Sequence, residues 1–186
     1  MPIQIGGKRD HDFNEPLGVL CDCHERIEHF LEVLHVVAEL NLGRALSASH
    51  RHALQTGLDY FRNAAPKHTQ DEEGSLFPRL EASADPRAAA CRAQMLTLVD
   101  EHRQAAPLHD EAHALMQKWL DAGTLEPAPA ERLLALLTQL RAMYRRHIQV
   151  ESSCVFRVAG ECLKPADLKE IGTEMAERRG VARRNP

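Results

Sequence analysis

No apolar run in this chain reaches the length of a bilayer, which excludes a helical membrane span. The opening MPIQIGGKRDHDFNEP has no apolar leader core, so the expected compartment is the cytoplasm. Strand-like alternation of β-branched residues is missing as well. Ala, Leu, Arg, Glu and Gln dominate, and the expected fold class is all-α. There is no even set of cysteines. Five of them in 186 residues argue for free thiols in a reducing compartment and against a disulfide framework. Nor is there an excess of one charge sign. The net charge of −4, with both signs mixed, argues against nucleic acid as a partner, as the missing span argues against a membrane. The length suits one domain with a real core.

Histidine is in surplus. Eleven is about two to three times a usual share, and imidazole is the commonest metal-binding side chain. Four of the histidines and two glutamates recur in the order His24, His68-x-x-x-Glu72, His102, His147-x-x-x-Glu151. The gaps between the histidines are 44, 34 and 45 residues. Such gaps separate equivalent levels of neighbouring helices in a four-helix bundle. Imidazole nitrogen with carboxylate oxygen suits non-haem iron, with manganese or zinc as substitutes.

The helix signals place these residues. A first helix is expected over 16–42, ended by Gly43. A second is expected over 47–80, kinked or divided by Pro66. A third spans 86–121 with a bend at Pro107 and a stop at Ala122-Gly123, and a fourth spans 128–159 with a stop at Gly160. A short fifth helix over 164–177 precedes a basic tail, RRGVARRNP. Connections are short, so neighbours should be antiparallel. The expected architecture is an up-down-up-down, left-handed four-helix bundle over 12–160, with the fifth helix and tail over 161–186.

Each candidate ligand interrupts an apolar stripe. Leu20, His24, Ile27 and Leu31 share a face, as do Leu58, Phe61, His68, Glu72 and Leu76. Met95, Leu98, His102 and Ala105 share the third, and Leu140, Tyr144, His147 and Glu151 the fourth. Ionised carboxylates do not stay in a core unpaired, and a metal is one way of satisfying them. The alternative is a satisfied polar network. The local pair is weak evidence alone, because His-x-x-x-Glu begins five times in this chain, at His11, His24, His35, His68 and His147. His68/Glu72 and His147/Glu151 stand out because they fall on alternate helices, with single interior histidines on the other two. A ferritin-like site needs two Glu-x-x-His motifs, and only Glu32 to His35 occurs here.

The stretches CHERIEHFL, HTQDEEGSLFPRL, DEHRQ and YRRHIQVESS, with the ending GTEMAERRGV, resemble the bacterial hemerythrin-like family, also called the HHE cation-binding domain. The resemblance covers nearly the whole chain. It implies two iron ions, one held by His24 and His68 and the other by His102 and His147. Glu72 and Glu151 would bridge them, with an oxo or hydroxo group as third bridge and an open position on each iron. It also implies a small-molecule ligand (oxygen, nitric oxide or peroxide) and an electron donor.

One departure separates branches of that family. Oxygen-carrying members have a fifth histidine four residues on from the third-helix histidine, and a bridging aspartate five after the last. Here those features are replaced by Ala106 and by Glu151, four after His147. The resemblance then points away from reversible oxygen carriage, toward reaction with oxygen, peroxide or nitric oxide. The alternatives are a non-catalytic iron or oxygen sensor, an iron donor for repair of iron centres, or a metal-free helical interaction module.

Other residues have plainer readings. His35, His109 and His113 are expected at surfaces or interfaces, with a polar channel or a second weak metal site as alternative. His50 and His52 are expected in solvent. Glu73 turns away from Glu72 and is left out of the ligand set. Cys21 and Cys23 point apart as small thiols. Tyr144 is either a hydrogen-bond donor behind the site or plain core.

Overall fold

The computed structural model describes residues 11–181. The leader reading on residues 1–10 and the tail at 182–186 lie outside the described residues.

Every regular element among the described residues is helical. The order is α1 (Pro16–Leu40), α2 (Ala48–Asn63), α3 (Ala65–Asp71), a π-helical turn π1 (Glu72–Leu76), α4 (Phe77–Ala82), α5 (Pro86–Ala90), α6 (Arg92–Ala122), α7 (Pro127–Val150), a second π-helical turn π2 (Glu151–Val155), α8 (Phe156–Cys162) and α9 (Pro165–Arg178). This is an all-α helical bundle.

The starts follow local chemistry. Proline opens α1, α5, α7 and α9, where its missing N–H costs nothing. Ser47 accepts the His50 N–H at 3.1 Å and Asp85 accepts the Arg87 N–H at 2.9 Å, capping α2 and α5. At the other end of α6, Gly123 takes φ +77 and donates to the Trp119 carbonyl at 2.9 Å.

Some expected boundaries hold and others change. Pro66 does divide the second helix, with the break at Ala64. A further interruption at π1 was not expected. The third helix is broken at Cys91, but α6 then runs continuously through Pro107. Gly160 does not stop the fourth helix, which continues to Cys162. An isolated glycine costs a helix only about 1 kcal/mol, and here its bare Cα sits against α1, where a Cβ would lie 3.6 Å from Leu17. The stop comes from extended backbone at Leu163 and Lys164, ahead of Pro165.

The long segments pack in a ring: α1 against α2 and α7, and α6 against α2 and α7. The interior holds two separate apolar cores. One contains Ile27, Leu31, Leu58, Ala105, Trp119 and Leu140. The other contains Leu20, Leu76, Leu98, Val155 and Phe156. His24 lies between Leu20 and Ile27, and His68 and Glu72 lie between Leu58 and Leu76. His102 lies between Leu98 and Ala105, and His147 and Glu151 between Leu140 and Val155. The chain therefore crosses the same polar level four times, passing between the cores in alternating directions.

Helix α9 packs on α1, α3 and π1. Its Gly172 passes so close to the chain ahead of α1 that a Cβ would lie 1.9 Å from the Phe13 carbonyl oxygen. The first two arginines of the expected basic tail are pinned. The fully buried Asp71 accepts from Arg178 at 2.7 Å and from Arg179 at 2.6 Å. Arg178 also donates to the Ser75 hydroxyl at 2.6 Å, while Arg79 pairs with Glu174 at 2.7 Å. This charged cluster ties α9 to the turn that begins at Glu72.

Replacing Asp71 by Ala takes the buried carboxylate from two half-buried arginines. It should cost about 3 kcal/mol, because a broken buried pair strands its partners. Urea unfolding of Asp71→Ala is the check. Asp100→Ala, which removes the exposed pair to Arg103 at 3.0 Å, should leave the midpoint unchanged.

Candidate metal centre

The six sequence-selected side chains meet at one level. Among the described residues they form two groups of possible ligands, one of His24, His68, Glu72 and Glu151, the other of Glu72, His102, His147 and Glu151. Within each group one ligand atom per residue lies within 4.8 Å of every other. Both glutamates belong to both groups. Glu72 uses its two oxygens separately: Oε1 is 3.0 Å from His68 Nε2 and 3.7 Å from His24 Nε2, and Oε2 is 3.5 Å from His102 Nε2. Glu151 Oε2 lies 3.0 Å from His24 Nε2 and 3.4 Å from His147 Nε2.

Each carboxylate is delivered by the same device. Glu72 opens π1 and Glu151 opens π2. In each turn the glutamate N–H is shared between two carbonyls, of His68 and Thr69 in one and of His147 and Ile148 in the other. The glutamate carbonyl then accepts from Phe77 or Phe156 five residues on. Wide turns of this kind recur at functional sites, because they re-aim a side chain without ending the helix. A sequence signal for them exists: His68-x-Gln70-x-Glu72 with Phe77, and His147-x-Gln149-x-Glu151 with Phe156, share every offset.

The cluster is dry and unsatisfied. Glu72 and Glu151 are fully buried, and none of their four oxygens has a well-formed hydrogen bond. Both nitrogens of His24, Nδ1 of His68 and Nε2 of His147 are in the same state. Burial, then repulsion from Glu151, pushes the Glu72 carboxyl well above the usual carboxylate range. Burial acts the same way on Glu151, but the His147 and His24 imidazoles beside its carboxylate outweigh it and hold Glu151 below that range. Burial and the neighbouring His24 drive His68 well below the usual imidazole range. Unpaired groups buried at this density cost several kcal/mol, and natural interiors satisfy them with protein, water or a cation. Imidazole and carboxylate atoms converging on two points fit two cations.

Two further glutamates stand behind the cluster. Glu73 Oε1 accepts the Nδ1–H of His102 at 2.7 Å, and Glu101 Oε2 accepts that of His147 at 2.9 Å. Each bond leaves an Nε2 lone pair facing inward. Burial and His147 lower His102, against the pull of Glu73. Burial also opposes charge on His147, but Glu151 and Glu101 raise it on balance. Glu73 does stay outside the two ligand groups, as expected from its position. Its bond across to α6 was not anticipated, because helical position says nothing about a neighbouring helix. Glu101 sits beside His102 in sequence yet serves His147. Among the described residues no carboxylate backs the other half: Nδ1 of His24 and of His68 has no partner, and His24 stacks on Phe156 at 5.1 Å and meets His68 edge-on at 4.8 Å.

The chain matches the hemerythrin HHE cation binding domain over residues 16–159. It belongs to the hemerythrin HHE cation-binding domain family. A protein of Haemophilus influenzae, described as an uncharacterized protein, is 28% identical over 170 residues, covering 91% of this chain and 92% of that one. Among the described residues no helix of this hemerythrin-like chain is long and apolar enough to cross a membrane. The family and the His/Glu cluster together mark a metal site.

The remaining candidates scatter. His109 is outside both ligand groups; its Nε2 lies 3.0 Å from the Tyr144 hydroxyl and its ring stacks on Phe61 at 5.0 Å. Tyr144 thus bonds to His109 and only approaches His147, ring to ring, at 6.0 Å. His35 meets Thr138 at 3.1 Å, His50 bonds to Asn41, and His52 is exposed. His113 is half-buried. Cys21 is exposed while Cys23 is buried against Arg26, so the two thiols do point apart. A pocket of about 390 Å³ beside His102 is lined by Phe61, Pro66, Ala106, His109 and Tyr144. Ala106 contributes only a methyl group to that pocket.

Burial in the pocket wall lowers His109 to about 4. The ring is neutral in the fold, whereas in the unfolded chain it protonates below about pH 6.5. Its contribution is therefore fully present above that pH and lost as pH falls toward 4, at most about 3 kcal/mol and less where pocket water reaches the ring. Urea midpoints of wild type and His109→Gln should converge across this window. Parallel curves would show that His109 titrates normally.

Proposed function

We propose that this chain is a non-haem di-iron protein that binds and reacts with a small uncharged molecule, with oxygen, nitric oxide and peroxide as the class. His24 and His68 would hold one iron, His102 and His147 the other, with Glu72 and Glu151 bridging. The observation that carries the reading is the shared membership of both glutamates in two four-residue groups. Bound iron would supply one-electron redox chemistry and open coordination positions.

The residues of this chain supply the rest. Glu72 and Glu151 would give carboxylate oxygens to both cations, which would displace the proton that burial favours on Glu72. Glu73 and Glu101 orient only the His102/His147 pair, which makes that half the tighter site. The pocket beside His102 offers a route in. Its aromatic and alanine walls favour small uncharged molecules, and Tyr144 and His109 put a hydroxyl and a neutral imidazole on its surface.

Metal analysis of purified protein should find about two irons per chain, and Glu72→Ala or Glu151→Ala should lose most of both. Glu73→Ala and Glu101→Ala should weaken one iron of the two by about tenfold or more. His29→Ala, on an exposed face, should change nothing. Equal iron in all these variants would defeat the assignment.

Reduced protein mixed with oxygen or peroxide in a stopped-flow cell should change its visible spectrum irreversibly. With Ala106 in the pocket wall, no fifth histidine reserves a protected position for reversible binding. Recovery of the reduced spectrum under vacuum would point to oxygen carriage. Retained iron without turnover of oxygen, peroxide or nitric oxide would move the reading to an iron sensor or donor.

A further inference from the structure

The two π-helical turns share their leading glutamate, its spacing from the preceding histidine and following phenylalanine, and their backbone pattern, so their outward anchors can be compared. Position for position, Ser75 in π1 corresponds to Cys154 in π2. Ser75 joins its turn to α9 through Arg178, with Glu174 also hydrogen-bonded to the Ser75 hydroxyl. Cys154 meets a different partner. Its Sγ lies 3.2 Å from the Sγ of Cys91, the residue that breaks the chain between α5 and α6. The two cysteines are 63 residues apart in sequence. Both are free thiols.

From this contact we infer that Cys91 and Cys154 form a peroxide-responsive thiol pair, which closes to an intramolecular disulfide and staples π2 to the α5–α6 junction. This goes beyond the metal reading and does not depend on it. The sulfurs need approach by only about 1.2 Å to reach bonding distance. Cys154 is half-buried and Cys91 almost fully buried, so a hydroperoxide meets Cys154 first. The Cys154 sulfur attacks the O–O bond. It becomes a sulfenic acid, and the peroxide leaves as an alcohol, or as water when it is hydrogen peroxide. The Cys91 thiol then attacks that sulfur, forming the S–S bond and releasing water. The pair loses two electrons, and these reduce the peroxide. Burial and the adjacent Cys154 push the Cys91 thiol up to about 11, which leaves Cys91 the second thiol to react and not the first. Cys21, exposed and on α1, has no such partner thiol at hand and serves as an internal control.

The test uses the full chain, in metal-free form and loaded with redox-inert zinc, treated with one equivalent of tert-butyl hydroperoxide. Quenching in denaturant with iodoacetamide, then mass spectrometry, counts the thiols. The expected result in both forms is a fall from five alkylated cysteines to three. The linked peptides should contain Cys91 and Cys154, and dithiothreitol should restore all five. Cys91→Ser and Cys154→Ser should each keep all four remaining thiols alkylatable after the reductant step and yield no linked peptide before it. Oxidised wild type should also melt at a higher temperature than reduced wild type, with no such shift in either variant. Five alkylated cysteines after treatment, a disulfide joining any other pair, or Cys154 recovered as a sulfinic acid with Cys91 still alkylated would each overturn the proposal.

Discussion

Two carboxylates without hydrogen-bond donors, buried at the middle of a helical bundle, set the terms for everything around them. Glu72 and Glu151 are shut away from water, and each faces imidazoles contributed by other helices. Such a level cannot be an accident of packing, since unpaired buried charge works against folding. It splits the interior into two apolar cores, and the four passes of the chain must keep register at that level. The leucines on either side hold the helices together with about 2 kcal/mol for each fully buried side chain. That apolar burial is what tolerates the polar level between them.

The two halves of the centre are alike in backbone and unlike in surroundings. Both glutamates sit at the head of a π-helical turn, both follow a histidine by four residues, and both are followed by a buried phenylalanine. Yet carboxylates back only His102 and His147, while His24 rests on the Phe156 ring. Near-symmetry in the chain thus yields two groups of possible ligands with unlike surroundings. The pocket opens beside the carboxylate-backed half.

The outward anchoring of the turns differs too. The charged cluster of Asp71, Ser75, Arg79, Glu174, Arg178 and Arg179 grips π1 and draws α9 into the support of the site. The second turn instead brings Cys154 to 3.2 Å from Cys91, sulfur to sulfur.

Much of this protein was legible before any coordinates. Helical periodicity and the level spacing of His24, His68, His102 and His147 specified an all-α chain with one polar level, because side chains three and four residues apart must share a face. Ferritin-like chemistry was excluded by the scarcity of Glu-x-x-His. The π-helical turns were not read, although the repeated His-x-Gln-x-Glu offsets carried the signal. The partnerships of Glu73 with His102, Glu101 with His147, Asp71 with Arg178 and Arg179, and Cys91 with Cys154 belong to tertiary structure alone. Each joins residues 29 or more positions apart. Periodicity states which way a side chain faces from its own helix; what stands opposite depends on the rotation and offset of a neighbouring helix, and packing of the whole bundle decides those.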